Sequence, residues 1–106
     1  MTTAPEIRVF AALGDQVRAE LVRTLAKHGP ASTTALAAPL AISRQAVDKH
    51  LRVLRDIGVV SSTRVGREAR HRIERPALAS ASSWLEAIGR EWEAQLGLIR
   101  DAAERP

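Results

Sequence analysis

The sequence predicts a mainly α-helical domain carrying one small antiparallel β-hairpin. Three stretches carry this reading. Residues 43–57 show two unlike faces on a 3.6-residue period, and residues 59–73 switch to β-branched and alternating residues around Gly66. Residues 76–104 then hold one apolar stripe to the end of the chain. At 106 residues the chain reads as a single domain with a modest core.

Taken in order, Ile7, Phe10 and Leu13 at spacing three predict a short amphipathic helix over Glu6–Leu13. Gly14-Asp15 breaks it and supplies a cap for a second helix ending at Lys27. In that helix Val17, Leu21, Val22 and Leu25 face inward, and Arg18, Arg23 and Lys27 face outward. His28-Gly29-Pro30 is the stop. Ser32 caps a third, short helix from Thr33 to Ala38, which Pro39 ends early by disfavouring the helical conformation before it. Ala41-Ile42 turns the chain into the helix that opens at Ser43, and helix, tight turn, helix is the helix-turn-helix arrangement.

The fourth helix, about 44–57, has both ends marked. The Ser43 hydroxyl suits the N-cap, and Gly58 suits the left-handed residue that closes a helix. Val47, Leu51 and Leu54 make the docking face; Gln45, Asp48, Lys49 and Arg52 stand opposite, with Arg44 on the flank. Arg and Lys match guanine edges in a major groove and Gln matches adenine. The hairpin follows over 59–73, with Ala69, His71 and Ile73 on one side of its second strand and Arg70 and Arg72 on the other. Its tip carries Arg64 and Arg67, placed to reach backbone or minor groove, so helices plus a basic hairpin make a winged helix-turn-helix. Pro76 opens the last helix, on which Leu78, Ala81, Leu85, Ile88, Trp92, Leu96 and Ile99 repeat at three and four. Such a helix runs about 40 Å, longer than so small a core can cover. The surplus face, Leu85, Ile88, Trp92, Leu96 and Ile99, is therefore read as a dimer interface, with Ile7 and Phe10 as its second wall.

Charge is uneven along the chain. Of the net +4, residues 43–75 hold nine Lys/Arg against four Asp/Glu, a local +5, while residues 76–106 are net −2. A polyanion meets the middle third first. The absence of cysteine excludes disulfides and thiolate metal sites and fits a reducing compartment. No signal-peptide pattern opens the chain, and the longest apolar run, residues 35–42, is too short to span a membrane; a cytoplasmic protein without membrane contact is expected.

The run Ser43-Arg44-Gln45-Ala46-Val47-Asp48-Lys49-His50-Leu51, with Ala12-Leu13-Gly14-Asp15 before it, resembles the ArsR/SmtB family of winged helix-turn-helix repressors. Leu54-Arg55-Asp56-Ile57-Gly58-Val59-Val60 and Gly66-Arg67 extend the likeness. The resemblance implies a homodimer on a pseudo-palindromic operator of double-stranded DNA near its own promoter. It would place Ser43, Arg44, Gln45 and Lys49 in the major groove and the wing along the flanking backbone. Asp48 departs from the pattern, where a small hydroxyl is common. A carboxylate there can repel phosphate, accept from a cytosine amino group, or hold Arg44 or Arg52 by a helical pair. His50 lies toward the packed side and reads as a hydrogen-bonded structural histidine; His71 stands where relatives carry an aromatic and reads as packing.

Many relatives carry metal-binding cysteines on the helix that here reads Thr33-Thr34-Ala35-Leu36-Ala37-Ala38, and others use Asp and His on the last helix, which here has no histidine. His28, His50 and His71 fall in three different elements, so no ligand set converges, and neither metal nor cofactor is expected. The Trp84/Trp92 helix resembles the metal-independent branch, whose effectors are often unidentified; a small-molecule effector stays open as a partner. Two other classes compete with a DNA-binding regulator. One is a winged-helix scaffold for protein contacts. The other is an enzyme, for which the sequence offers no Gly-rich phosphate loop, nucleophile or catalytic constellation.

Overall fold

The computed structural model describes residues 3–105. Its elements are α1 (Pro5–Leu13), α2 (Gln16–His28), β1 (Ala31–Ser32), α3 (Thr33–Ala37), a 3₁₀ turn (Ala38–Leu40), α4 (Arg44–Asp56), β2 (Val60–Val65), β3 (Glu68–Ile73) and α5 (Arg75–Glu104).

Local chemistry explains where the helices start. Asp15 accepts from the backbone N–H groups of Val17 (2.9 Å) and Arg18 (3.1 Å), Ser32 from Ala35, and Ser43 from Ala46. The end of α4 is closed in two ways at once. Gly58 takes φ +77° while Val59 N–H donates to Leu54 and Gly58 N–H to Arg55, the paired bonds of a Schellman motif. Leu54 and Val59, which that motif brings together, are both fully buried.

The core gathers Leu21, Leu36, Val47, Leu51, Leu54 and Val59 from α2, α3, α4 and the start of the wing. α2 packs on α4 and β3, and α3 packs on α4, while α1 lies along α5. Phe10 of α1 and Trp84 of α5 meet with ring centroids 5.5 Å apart at a tilt of 51°, so Phe10 is half-buried within its own chain.

Two features depart from the expected outline. The sheet has three strands, not two, in the order β1-β3-β2. Ala31 pairs with His71 and Ser32 with Arg70, and the wing hairpin runs in register from Val60–Ile73 to Val65–Glu68. A two-residue strand carries no readable alternation, and it exists only because β3 offers it an edge. The third helix also stops one residue sooner than expected. Pro39 is accommodated in the 3₁₀ turn, after which Ala41 takes a left-handed φ of 55° to redirect the chain into α4.

Candidate nucleic-acid interface

α4 and the wing enclose a groove of about 370 Å³. Arg44, Gln45 and Asp48 form one wall and Arg64 and Arg67 the other. The expected DNA contacts are thus largely brought together, from positions twenty residues apart in the chain. All eight, Ser43, Arg44, Gln45, Asp48, Lys49, Arg52, Arg64 and Arg67, are exposed. They are not equivalent. Ser43 is occupied as the N-cap of α4. Arg44 donates to the Thr34 hydroxyl (3.3 Å) and Asp48 accepts from the Thr33 hydroxyl (3.1 Å), so this flank of α4 is tied to α3. Of the roles open to Asp48, a helical pair with Arg44 or Arg52 is not formed among the described residues. Gln45, Lys49 and Arg52, at spacing four and three, form a second stripe that faces solvent.

Polar contacts tie α4 to α2 and brace the base of the wing. Arg18 donates to the Ala12 carbonyl (2.7 Å) and to Nδ1 of His50 (3.3 Å), linking the end of α1, α2 and α4; His50 is half-buried, as a structural histidine should be. The Arg18 backbone N–H, helped by its guanidinium, holds the Asp15 carboxyl below its ordinary value. At the base of the wing the Ser61 hydroxyl donates to Glu74 (2.6 Å). Arg72 donates to both Ser61 and Glu74, and together these lower the Glu74 carboxyl.

Residues 13–63 match a helix-turn-helix domain family. The HTH-type transcriptional regulator Rv2034 of Mycobacterium tuberculosis is 34% identical over 79 residues, 74% of this chain and 73% of that protein. An ArsR-like transcriptional regulator from Rhodococcus sp. RHA1 superposes with TM-score 0.82 at 40% identity, covering 96% of this chain and 95% of its own. The homodimeric winged helix-turn-helix DNA-binding domain of Mb0332 from Mycobacterium bovis shares the fold at 22% identity and TM-score 0.62, over 87% and 82% of the two chains. This chain belongs to the ArsR-like family of winged helix-turn-helix transcriptional regulators. The family is one of DNA-binding regulators, not enzymes.

α5 of this ArsR-like chain leaves an apolar stripe exposed. α5 has one buried residue, Ala81, while Leu85, Ile88, Trp92, Leu96 and Ile99 are all exposed, as is Ile7. Leu98 joins the exposed set, though it falls off the three-and-four stripe that singled out the others. Among the described residues no three His, Cys, Asp or Glu side chains converge. No described helix is long and apolar enough to cross a membrane.

One buried polar residue beneath the wing is legible in the sequence only as packing. His71 is 1% exposed, yet both ring nitrogens are engaged, Nδ1 with Ser62 (2.6 Å) and Nε2 with Thr33 (2.8 Å). Burial, and then the Arg55 guanidinium, push its pKa below the ordinary 6.5, with Asp48 opposing. The folded chain thus resists a proton that the unfolded chain accepts near 6.5. The stability this gives is complete above that value and drains away as pH falls towards the lowered folded value. The thermal midpoint is expected to drop between about pH 7 and pH 5, and to drop less in His71→Gln, which has no imidazole to titrate. Calorimetry of both proteins checks this, and equal slopes would count against His71 as the source.

Proposed function

We propose that the chain is a metal-independent, homodimeric repressor in the cytoplasm, reading a pseudo-palindromic operator near its own promoter. The observation that carries this is the groove between α4 and the wing, where Arg44 and Gln45 face Arg64 and Arg67, with Lys49 and Arg52 exposed further along α4. A helix presenting Gln, Lys and Arg fits a major groove, and wing arginines fit the flanking backbone. Dimerisation through α5 sets two such helices on one face of the duplex, about one helical turn of 34 Å apart. The related fold of Mb0332 is a homodimer. Repression needs no further contact, because a dimer seated across a promoter excludes polymerase sterically. Metal independence is supported by the Thr33-Thr34-Ala35 stretch where metal-binding relatives carry cysteine, in a chain with none.

The test is binding to a fluorescent duplex from the gene's own upstream region, against scrambled duplex, at several salt concentrations. A preference of about a thousandfold or more is expected, the low end for specific readers. Lys49→Ala should weaken both duplexes and flatten the slope of log affinity against log salt by about one. No preference for any genomic duplex, with weak binding throughout, would move the protein-contact scaffold ahead.

A further inference from the structure

Five side chains form one continuous hydrogen-bonded chain that leaves α4 and returns to it. Arg55, in the last turn of α4, donates to Ser62 of β2 (3.4 Å), and Ser62 meets Nδ1 of His71 on β3 (2.6 Å). Nε2 of His71 meets Thr33 at the start of α3 (2.8 Å), and Thr33 donates to Asp48 in the second turn of α4 (3.1 Å). Donor counting orients every link. An ionised carboxylate only accepts, so the single hydroxyl proton of Thr33 goes to Asp48, and the Thr33 oxygen must take the proton on Nε2. The neutral ring then has its lone pair on Nδ1 and accepts from Ser62, whose oxygen in turn accepts from a guanidinium that only donates. The chain runs one way, from a cation to an anion, through a neutral imidazole.

We propose that this relay positions the recognition helix against the wing, and that Asp48, Thr33 and His71 are positioning residues for DNA reading rather than contacts to it. The proposal rests on the groove being the DNA site. Apolar docking of Val47, Leu51 and Leu54 holds α4 down but is non-directional, so rotation about the helix axis and sliding along it stay soft. Asp48 and Arg55 lie seven residues apart on one face, about 10 Å along the axis. Tying both to the same histidine restrains those two freedoms at both ends of α4, beyond the single-point bonds of His50 to Arg18 and Arg44 to Thr34. It also sets the stripe Gln45, Lys49, Arg52 at a defined angle to Arg64 and Arg67. The relay accounts for a carboxylate on a surface otherwise built for a polyanion, since Asp48 is engaged by Thr33.

The experiment uses the full chain, a duplex that the wild type has selected from a random-sequence pool, and a scrambled duplex of equal length. Asp48 is exposed, so its variants should fold, which circular dichroism checks. Asp48→Ala is expected to lower the preference for the selected duplex by about tenfold or more. Asp48→Asn keeps a carbonyl for Thr33 without the charge, and should retain that preference within about threefold and select the same sequence. Thr33→Val should fall with Asp48→Ala, and Thr33→Ser should recover. In ¹⁵N spectra of the free wild type, His71 should carry its proton on Nε2 and a lone pair on Nδ1. A cationic or Nδ1-protonated ring at neutral pH would overturn the proposal. So would alanine and asparagine variants that behave alike, or an Asp48→Asn chain that selects a different sequence, which would make Asp48 a base contact. A wild type that selects no sequence would sink the DNA reading and the proposal with it. A selecting wild type matched by Thr33→Val would sink the proposal alone.

Discussion

The double variant Ile88→Glu, Trp92→Glu should sediment as a monomer and lose operator affinity by about a hundredfold to ten-thousandfold, the range in which linked half-site binding exceeds single-site binding. The reason lies in the shape of the single chain. Its radius of gyration is 18.9 Å and its extents are 72 × 28 × 23 Å, whereas a compact chain of this length has a radius near 13 Å. The excess is α5, whose thirty residues run about 45 Å while the core covers only its first turns. Trp92 is left 60% exposed and Ile88 44%, on a helix where water gains nothing from either. Taking such a side chain from fully exposed to fully buried is worth roughly 1.5–3 kcal/mol, so a second copy covering the part still exposed recovers about half of that at each of several positions. A two-fold interface meets itself, so two glutamates per chain place four carboxylates in one apolar seam, where ionised groups are strongly disfavoured. The winged domain itself should remain folded, because neither residue belongs to its core. Analytical ultracentrifugation with fluorescence anisotropy reads both effects. An intact dimer would show that copies do not meet on this stripe.

Leu51→Ala should destabilise the chain by about 2–5 kcal/mol, the usual cost of truncating a fully buried leucine where the surroundings cannot collapse. Leu51 is wholly buried at the centre of α4, flanked by Val47 and Leu54, which are equally buried. For a domain of this size that corresponds to a fall in thermal midpoint of roughly 10–30 °C. The cost is large against a total stability of about 5–15 kcal/mol, so DNA binding should weaken as well through partial loss of α4. Val53 on the same helix is the control. At 38% exposed it touches the core little, and Val53→Ala should cost under about 1 kcal/mol. Chemical denaturation of both variants decides the matter. Similar small losses would mean that α4 is not held by the face its periodicity marks.

Which parts of this were readable in the chain follows from the range of the forces involved. Ser43 and Gly58 bound α4 because a cap and a left-handed glycine act within one turn of the residues they serve. Asp15 and Ser32 did the same for the starts of α2 and α3. The docking face of α4 was legible because Val47, Leu51 and Leu54 share one side of any α-helix, whatever they pack on. The exposed stripe of α5 was legible for the same reason, together with a length that no core of this size can cover. Leu98 escaped because it lies off that stripe; its exposure depends on where α5 leaves the core. β1 could not be read, since Ala31-Ser32 is a strand only by virtue of β3, some forty residues later.

The sequence by itself determined the helices, the wing, the cationic middle third and the family resemblance, since each is written in neighbouring residues through periodicity, capping and charge. Only the tertiary structure decided which partners Asp48 and His71 meet. Thr33, Asp48, Ser62 and His71 come from four elements, and a hydrogen bond needs its partners within about 3 Å in a set direction. No local pattern encodes such a meeting; it exists once α3, α4 and the wing have packed.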